Sequence, residues 1–425
     1  VVTPRSKTFN IPSGQGLGTG RFATGGGTSG SLVISAAISS FLASLAIAGS
    51  SPPAPAPSPS LGTGSDATFS ISSTTGVTNE AFCVGMALSK GQFPSSIGIV
   101  ATGTGLLAHQ VDIRSTWPDG SARFVLVSGR ATVAASAKQP IKLRQGTAVV
   151  GSPLTEANLL SSGVDATLQF AGGPTMTLSA LIGQAAVSDA SGLATNGMVR
   201  QLASGPQMSA WLYAARLSNT NAHVVGWMEV RYYGGTKVHI LPWVENGFTR
   251  IANCAGQAGT LSFTLGGSAL FTQANVHLAL HARVVAQSGS GVGHWFGGAP
   301  SLLTTQDPLH LQATRMVPAY FPDTANAAGL DALTQSYSPT LYGQLTTSPR
   351  NSNGDATDNG DFDAGMANAG YHFGIGLLPG WDAYYLTSNG DQRAYNSVLA
   401  NALGYGRYGV HQRDELTLRP VNPVD

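Results

Sequence analysis

The chain has 425 residues, enough for two to three domains with cores of their own. Only 10% of residues are charged, the net charge is +1, and there are 54 glycines, so no basic field is available to hold a nucleic-acid backbone. The Gly-, Ser-, Thr- and Ala-rich texture suits a β-rich extracellular or virion protein and argues against a cytosolic helical enzyme. Cys83 and Cys254 allow one intrachain disulfide or two free thiols. The sequence holds no Cys/His cluster with zinc spacing, no phosphate-cradling G-x-x-x-x-G-K and no G-x-S-x-G nucleophile elbow.

In chain order, residues 1–30 read as an extended low-complexity docking arm that cannot bury itself. Residues 31–50 predict a short apolar helix. Ile34, Ile38, Phe41, Leu45 and Ala48 recur at four- and three-residue steps, and Ser35, Ser39, Ser40 and Ser44 form the opposite stripe. A seam this short is not stable alone, so it is expected to join copies of the chain or to dock on a partner. A membrane segment and an ordinary buried helix are the competing readings. Residues 51–65 form a Pro/Ser-rich linker with polyproline character.

From residue 66 the texture becomes β. The short alternating runs ATFSIS, HQVDIRSTW, ARFVLVSGRATV and PIKLRQGTAVV predict a first β domain over 66–150. A second β-sandwich domain is expected over 151–298. Its clearest hairpin is HVVGWMEVRYYGGTKVHILPWVEN, with Gly234-Gly235 as a tight two-residue turn. There Trp227, Glu229, Arg231 and Tyr233 alternate with Met228, Val230 and Tyr232. The run NVHLALHARVVA reads as one strand with His277, His281 and Arg283 sharing a polar face, a candidate binding surface for an acidic sugar. The aromatics Trp211, Tyr213, Trp227, Tyr232, Tyr233 and Trp243 either fill a sandwich core or stack on sugars. Residues 299–425 predict a loop-rich to α-helical part, with Trp381, Tyr384 and Tyr385, then Tyr395, Val398, Leu399 and Leu403, at helical spacing. The oxygen-rich stretch 351–363 is a solvated acidic loop or a Ca²⁺ loop. No other cofactor or metal is expected.

In STWPDGSARFVLV, Pro118, Asp119 and Gly120 form a structural turn between two strands. The segment WPDGSARF, Trp117 to Phe124, resembles a hairpin of exo-acting rhamnogalacturonan-type polysaccharide lyases, and of large tailed-phage virion proteins that share their architecture. Phe124 stands where Trp or His is commoner in that hairpin. EVRYYGGTKVHILPWVEN and GIGLLPGWDAYYLTSNGDQRAYNSVLANALGYGRYGVHQRDE are similar to their sandwich and toroid-junction segments. The resemblance spans roughly residues 66–420. It implies β-sandwich domains followed by an α/α toroid, here incomplete.

The expected fold is thus mainly β, sandwich- or barrel-like, with an extended N-terminal arm, a short apolar helix and an α-helical C-terminal part. The expected function is a structural component of a tailed-bacteriophage virion, a tail or neck appendage. Its expected partners are copies of itself, other virion proteins and host-surface polysaccharide, with no nucleic acid and no membrane. One alternative is a polysaccharide lyase-like enzyme, or a degenerate relative, acting on acidic host glycans. The other is a surface-anchored bacterial sugar-binding protein. The enzyme question stays open, weighted towards no activity.

Overall fold

The computed structural model describes residues 67–94, 98–147, 151–252, 254–287, 292–318, 377–388, 395, 398, 399, 402 and 409–421. The arm, the seam residues Ile34, Ile38, Phe41, Leu45 and Ala48, the linker and the stretch 351–363 lie outside the described residues. The described chain is mainly β, in several antiparallel sheets, and none of its helices is long and apolar enough to cross a membrane.

The first sandwich is built from β1 (Ala67–Ser73), β2 (Val77–Ala87), β3 (Ile99–Thr102), β4 (Leu106–Thr116), β5 (Ala122–Val133) and β6 (Ala137–Gln145). Period-two patterning explains the strands: in β1 every second residue, Ala67, Phe69 and Ile71, is buried. One sheet places β5 between β2 and β4, and the other runs from β3 through β6 to β1. Phe69, Ile71, Phe82, Met86, Val125, Val127, Ile141 and Leu143 pack between them. The β4–β5 hairpin turns at Trp117–Gly120, where Gly120 N–H donates to Trp117 O at 2.9 Å and Gly120 takes φ +80°. Asp119 Oδ1 accepts from Ser121 N (3.0 Å) and Ser121 Oγ (2.6 Å), which fixes the bend and holds this exposed carboxyl below its ordinary value.

Residues 151–252, 254–287 and 292–298 then form the second sandwich. Its elements are α1 (Glu156–Ser161), β7 (Ala166–Phe170), β8 (Met176–Thr177), α2 (Leu178–Leu181), β9 (Val187–Asp189), β10 (Gly192–Thr195), β11 (Gly197–Ala203), β12 (Ser209–Arg216), β13 (Val224–Tyr232), β14 (Val238–Asn246), β15 (Gln257–Leu265), β16 (Ser268–Leu278), β17 (Arg283–Val285) and β18 (His294–Phe296). The larger sheet runs β11-β12-β13-β14-β17, with β18 also on β14, and the smaller runs β16-β15-β7-β8. Trp211, Tyr213, Met228, Val230 and Ile240 of the larger sheet meet Leu168, Phe170, Leu261 and Phe263 of the smaller. The six aromatics singled out above are all buried, so they fill interior space. The chain then returns. β19 (Leu303–Gln306) pairs with β1, so the second sandwich is inserted between β6 and β19 of the first. Beyond it come α3 (Pro308–Ala313), capped by Asp307, and α4 (Gly380–Thr387). Beyond α4, Tyr395, Val398, Leu399 and Ala402 are described, each in helical conformation.

Two local expectations change. The hairpin loop of β13–β14 is longer than two residues. Gly234 and Gly235 do take φ +85° and +60°, but Thr236 is also in the loop, and the chain closes through Tyr233 N–H to Lys237 O at 3.0 Å. The run NVHLALHARVVA is not one strand. β16 ends at Leu278, His281 takes φ +55°, and β17 begins at Arg283 in the other sheet.

The two sandwiches meet at a contact centred on Gln110. Gln110 of β4 donates from Nε2 to Met208 O (2.8 Å) and accepts on Oε1 from Gln207 N (2.8 Å) and Met208 N (2.9 Å). Ala81 and Cys83 of β2 and Leu126 of β5 pack with Met208, Ala210 and Tyr233, and Lys237 pairs with Glu80 at 3.1 Å. Cys83 and Cys254 are free thiols.

Leu302, 7% exposed, belongs to the first core although it lies after the second sandwich. Leu302→Ala is expected to destabilise the protein by about 2–5 kcal/mol, as for other buried leucines. Its neighbour Leu303, 42% exposed, should tolerate alanine within about 0.5 kcal/mol. Urea denaturation of both variants checks the return of the chain to the first sandwich.

Candidate functional site: an arginine-lined cleft

The outer face of the larger sheet explains where charge gathers. In β13 the alternation sends Met228, Val230 and Tyr232 into the core and Trp227, Glu229 and Arg231 outward. In β14 Trp243 and Glu245 fall on the same outer face, and in β17 Arg283 does. Part of this face is covered by the hairpin β9–β10 and by the C-terminal segment 409–421, through Leu193, Phe248 and Leu418. Arg413 of that segment bridges to Phe248, and its backbone N–H donates to Gly247 O at 2.8 Å.

At the centre, Glu245 has a side chain only 2% exposed. Arg283 reaches its Oε2 from Nε (3.1 Å) and Nη2 (2.8 Å), while Arg413 donates to Oε1 from Nε (2.6 Å) and to Oε2 from Nη2 (3.1 Å). Burial alone would raise the Glu245 carboxyl, but the Arg413 and Arg283 guanidiniums outweigh it and hold the group below its ordinary 4.5. The rings of Trp227 and Trp243 are stacked at 6.1 Å. Arg413 lies 4.1 Å over Trp227 and Arg283 lies 4.9 Å over Trp243. Cation–π contacts of this kind contribute about 0.5–2 kcal/mol each.

Above this floor opens a cleft of about 410 Å³ between the sandwiches. The first sandwich contributes Arg114, Phe124 and Leu126, and the second contributes Arg200, Leu212, Glu229, Arg231, Trp243 and Arg283. The C-terminal segment adds Arg413 and Pro420. Five arginines therefore line it, with Glu229 as the lining carboxylate, ion-paired to Arg231 at 2.6 Å. Burial works against the charge of Arg231, and Glu229 overrides it, so its proton is held more tightly than usual. Arg114 donates to Leu202 O, and Arg200 stands on the edge strand β11 beside two register shifts. Edge bulges of this type re-aim side chains. Guanidinium exceeds carboxylate in this lining, a composition suited to anions, and Phe124, 38% exposed, offers ring surface, whereas Trp243 is covered by Trp227 and Arg283.

Of the residues read as a ligand face, Arg283 lines the cleft. His277 lies on the exposed side of β16 in the opposite sheet. His281 sits in the turn between the sheets, donating its backbone N–H to Asn246 O and accepting from His411 N–H. The three do not share a face. Pro118, Asp119 and Gly120 form the expected turn and do not line the cleft. Among the described residues no group of three or more His, Cys, Asp or Glu is arranged to hold a metal ion. Arg114, Arg200 and Arg413 were missed as site residues. The signal that was available is the isolated charges Glu229, Arg231 and Glu245 inside otherwise apolar strands, each of which requires a partner. No protein-family profile and no curated protein matches the chain.

Glu245→Gln removes the shared charge of two largely buried guanidiniums and is expected to cost about 3–5 kcal/mol at neutral pH. Because the folded carboxyl lies below its unfolded value, its contribution is complete above pH 4.5 and fades as pH falls through the depressed folded value. The stability gap between wild type and Glu245→Gln should therefore shrink as pH falls below 4.5, measured by urea denaturation at neutral and at acidic pH. A gap that stays constant would contradict the ion-pair account.

Proposed function

We propose that the chain is a structural component of a tailed-bacteriophage virion, a tail or neck appendage present in several copies, whose β-rich body contacts acidic host-surface glycan through the arginine-lined cleft. In this reading residues 1–50 dock the chain through the extended arm and the apolar helical seam, and the C-terminal part is helical. The virion assignment draws on the low charge, on the N-terminal pattern and on the resemblance of WPDGSARF and the two later segments to tailed-phage proteins.

The observation that carries the glycan contact is the composition of the cleft lining: five arginines and an exposed phenylalanine, Phe124. Guanidiniums pair with carboxylates in planar, two-point fashion, and rings stack on sugar faces. The same lining favours binding over cleavage. Elimination from a uronic sugar needs a base within reach of the proton it abstracts. No His, Tyr or Lys is among the lining residues, and Glu229 is committed to Arg231.

Purified chain should bind an acidic capsular or cell-wall polysaccharide, with affinity falling as salt rises, and should ignore a neutral one. Unsaturated sugar ends should not accumulate over long incubation. Their appearance would favour the lyase reading instead. Mass spectrometry of purified particles should find the chain, and deletion of residues 1–60 should abolish its incorporation. Particles lacking the chain would overturn the virion assignment.

A further inference from the structure

We propose that Arg114 and Arg200 read two separate negative charges on one ligand, so that the cleft selects an oligosaccharide bearing at least two acidic units over a single acidic sugar. This inference rests on the glycan-binding reading of the cleft.

The argument follows from which guanidiniums are already engaged. Arg231 is taken by Glu229 at 2.6 Å, and Arg283 and Arg413 share Glu245. Arg114 donates to the Leu202 carbonyl and lies near Asp112, whose carboxyl is raised by burial and meets Gln110 Nε2 at 2.9 Å. The Arg200 guanidinium makes no hydrogen bond or ion pair among the described residues, and the residue is exposed and lines the cleft. With Arg419 nearby, six guanidiniums face three carboxylates, Asp112, Glu229 and Glu245. Glu229 offsets only part of this surplus at Arg200. Burial lowers the proton affinity of Arg200, and repulsion from Arg419, Arg413 and Arg114 lowers it further. An anion placed there removes that repulsion.

The two arginines stand on different bodies. Arg114 projects from β4 of the first sandwich and Arg200 from β11 of the second. One carboxylate neutralises one unit of the positive surplus. A chain carrying acidic groups on successive units satisfies both arginines, the second at the effective concentration set by the first. The cleft volume, about 410 Å³, falls within the roughly 300–1,000 Å³ of small-ligand sites and admits more than one functional group.

Titration calorimetry of the full chain at low salt tests this with mannuronate, short alginate oligomers, and the same oligomers with carboxyls reduced to alcohols. The oligomers should bind at least about tenfold more tightly than the monomer, a difference of about 1.4 kcal/mol. The reduced oligomers should not bind. Arg114→Gln and Arg200→Gln should each bring oligomer affinity down to near that of the monomer, while Arg200→Lys retains part of the preference. Both positions are exposed, and unchanged thermal unfolding of the variants separates lost contact from lost fold. Equal affinity for monomer and oligomer, or wild-type oligomer binding by Arg200→Gln, overturns the two-charge inference and leaves the glycan reading standing. Failure of every acidic probe to bind overturns both.

Discussion

Taking a carboxylate out of water on the outer face of a sheet is unfavourable unless its charge is met at close range by groups that are themselves held in place. Glu245 meets that condition twice over, through Arg283 on the adjacent strand and Arg413 from the far end of the described chain. Three stretches distant in sequence are thereby fixed at one point. The two tryptophan rings beneath them supply faces that the guanidiniums cover, so the polar cluster and the apolar layer of Trp227, Phe248 and Leu418 form one unit. One carboxylate between two arginines leaves a positive remainder, and this remainder sets the character of the cleft above it.

The cleft exists because the sandwiches meet over a narrow contact. Where Gln110, Met208 and Tyr233 come together, the Gln110 amide is hydrogen-bonded at 2.8–2.9 Å, and alanines pack among Met208, Tyr233 and Leu126. Away from that contact the outer faces diverge, and the gap between β4–β5 and β11–β13 is walled by long charged side chains. Arginine suits such a wall, since its aliphatic stem packs on apolar surface while its head stays in solvent.

Much of the strand structure was legible because its cause is local. Alternation in ATFSIS and WMEVRYY identifies which side chains face inward, and Pro118-Asp119-Gly120 marks a bend by conformational preference alone. The switch between sheets at residues 279–282 was hidden because Leu280 and Ala282 continue the alternation of Val276 and Leu278. The break appears only in the positive φ of His281. β19 was hidden because four residues, LTTQ, carry too little pattern, and its partner β1 lies more than two hundred positions earlier. The cleft was hidden for the same reason: its arginines run from residue 114 to residue 413, and no window of sequence contains them together.

The place of β1 in its sheet has a mechanical consequence. It is hydrogen-bonded along its length to β6 on one side and, over four residues, to β19 on the other, antiparallel to both. A pull on Ala67 directed along the axis of this strand loads both ladders in shear, so many bonds must fail together instead of opening one after another. The closing strand β19 therefore acts as a lock on tension. The rate at which the body yields under load depends on residues that follow the inserted sandwich, far along the chain from the point where the load is applied.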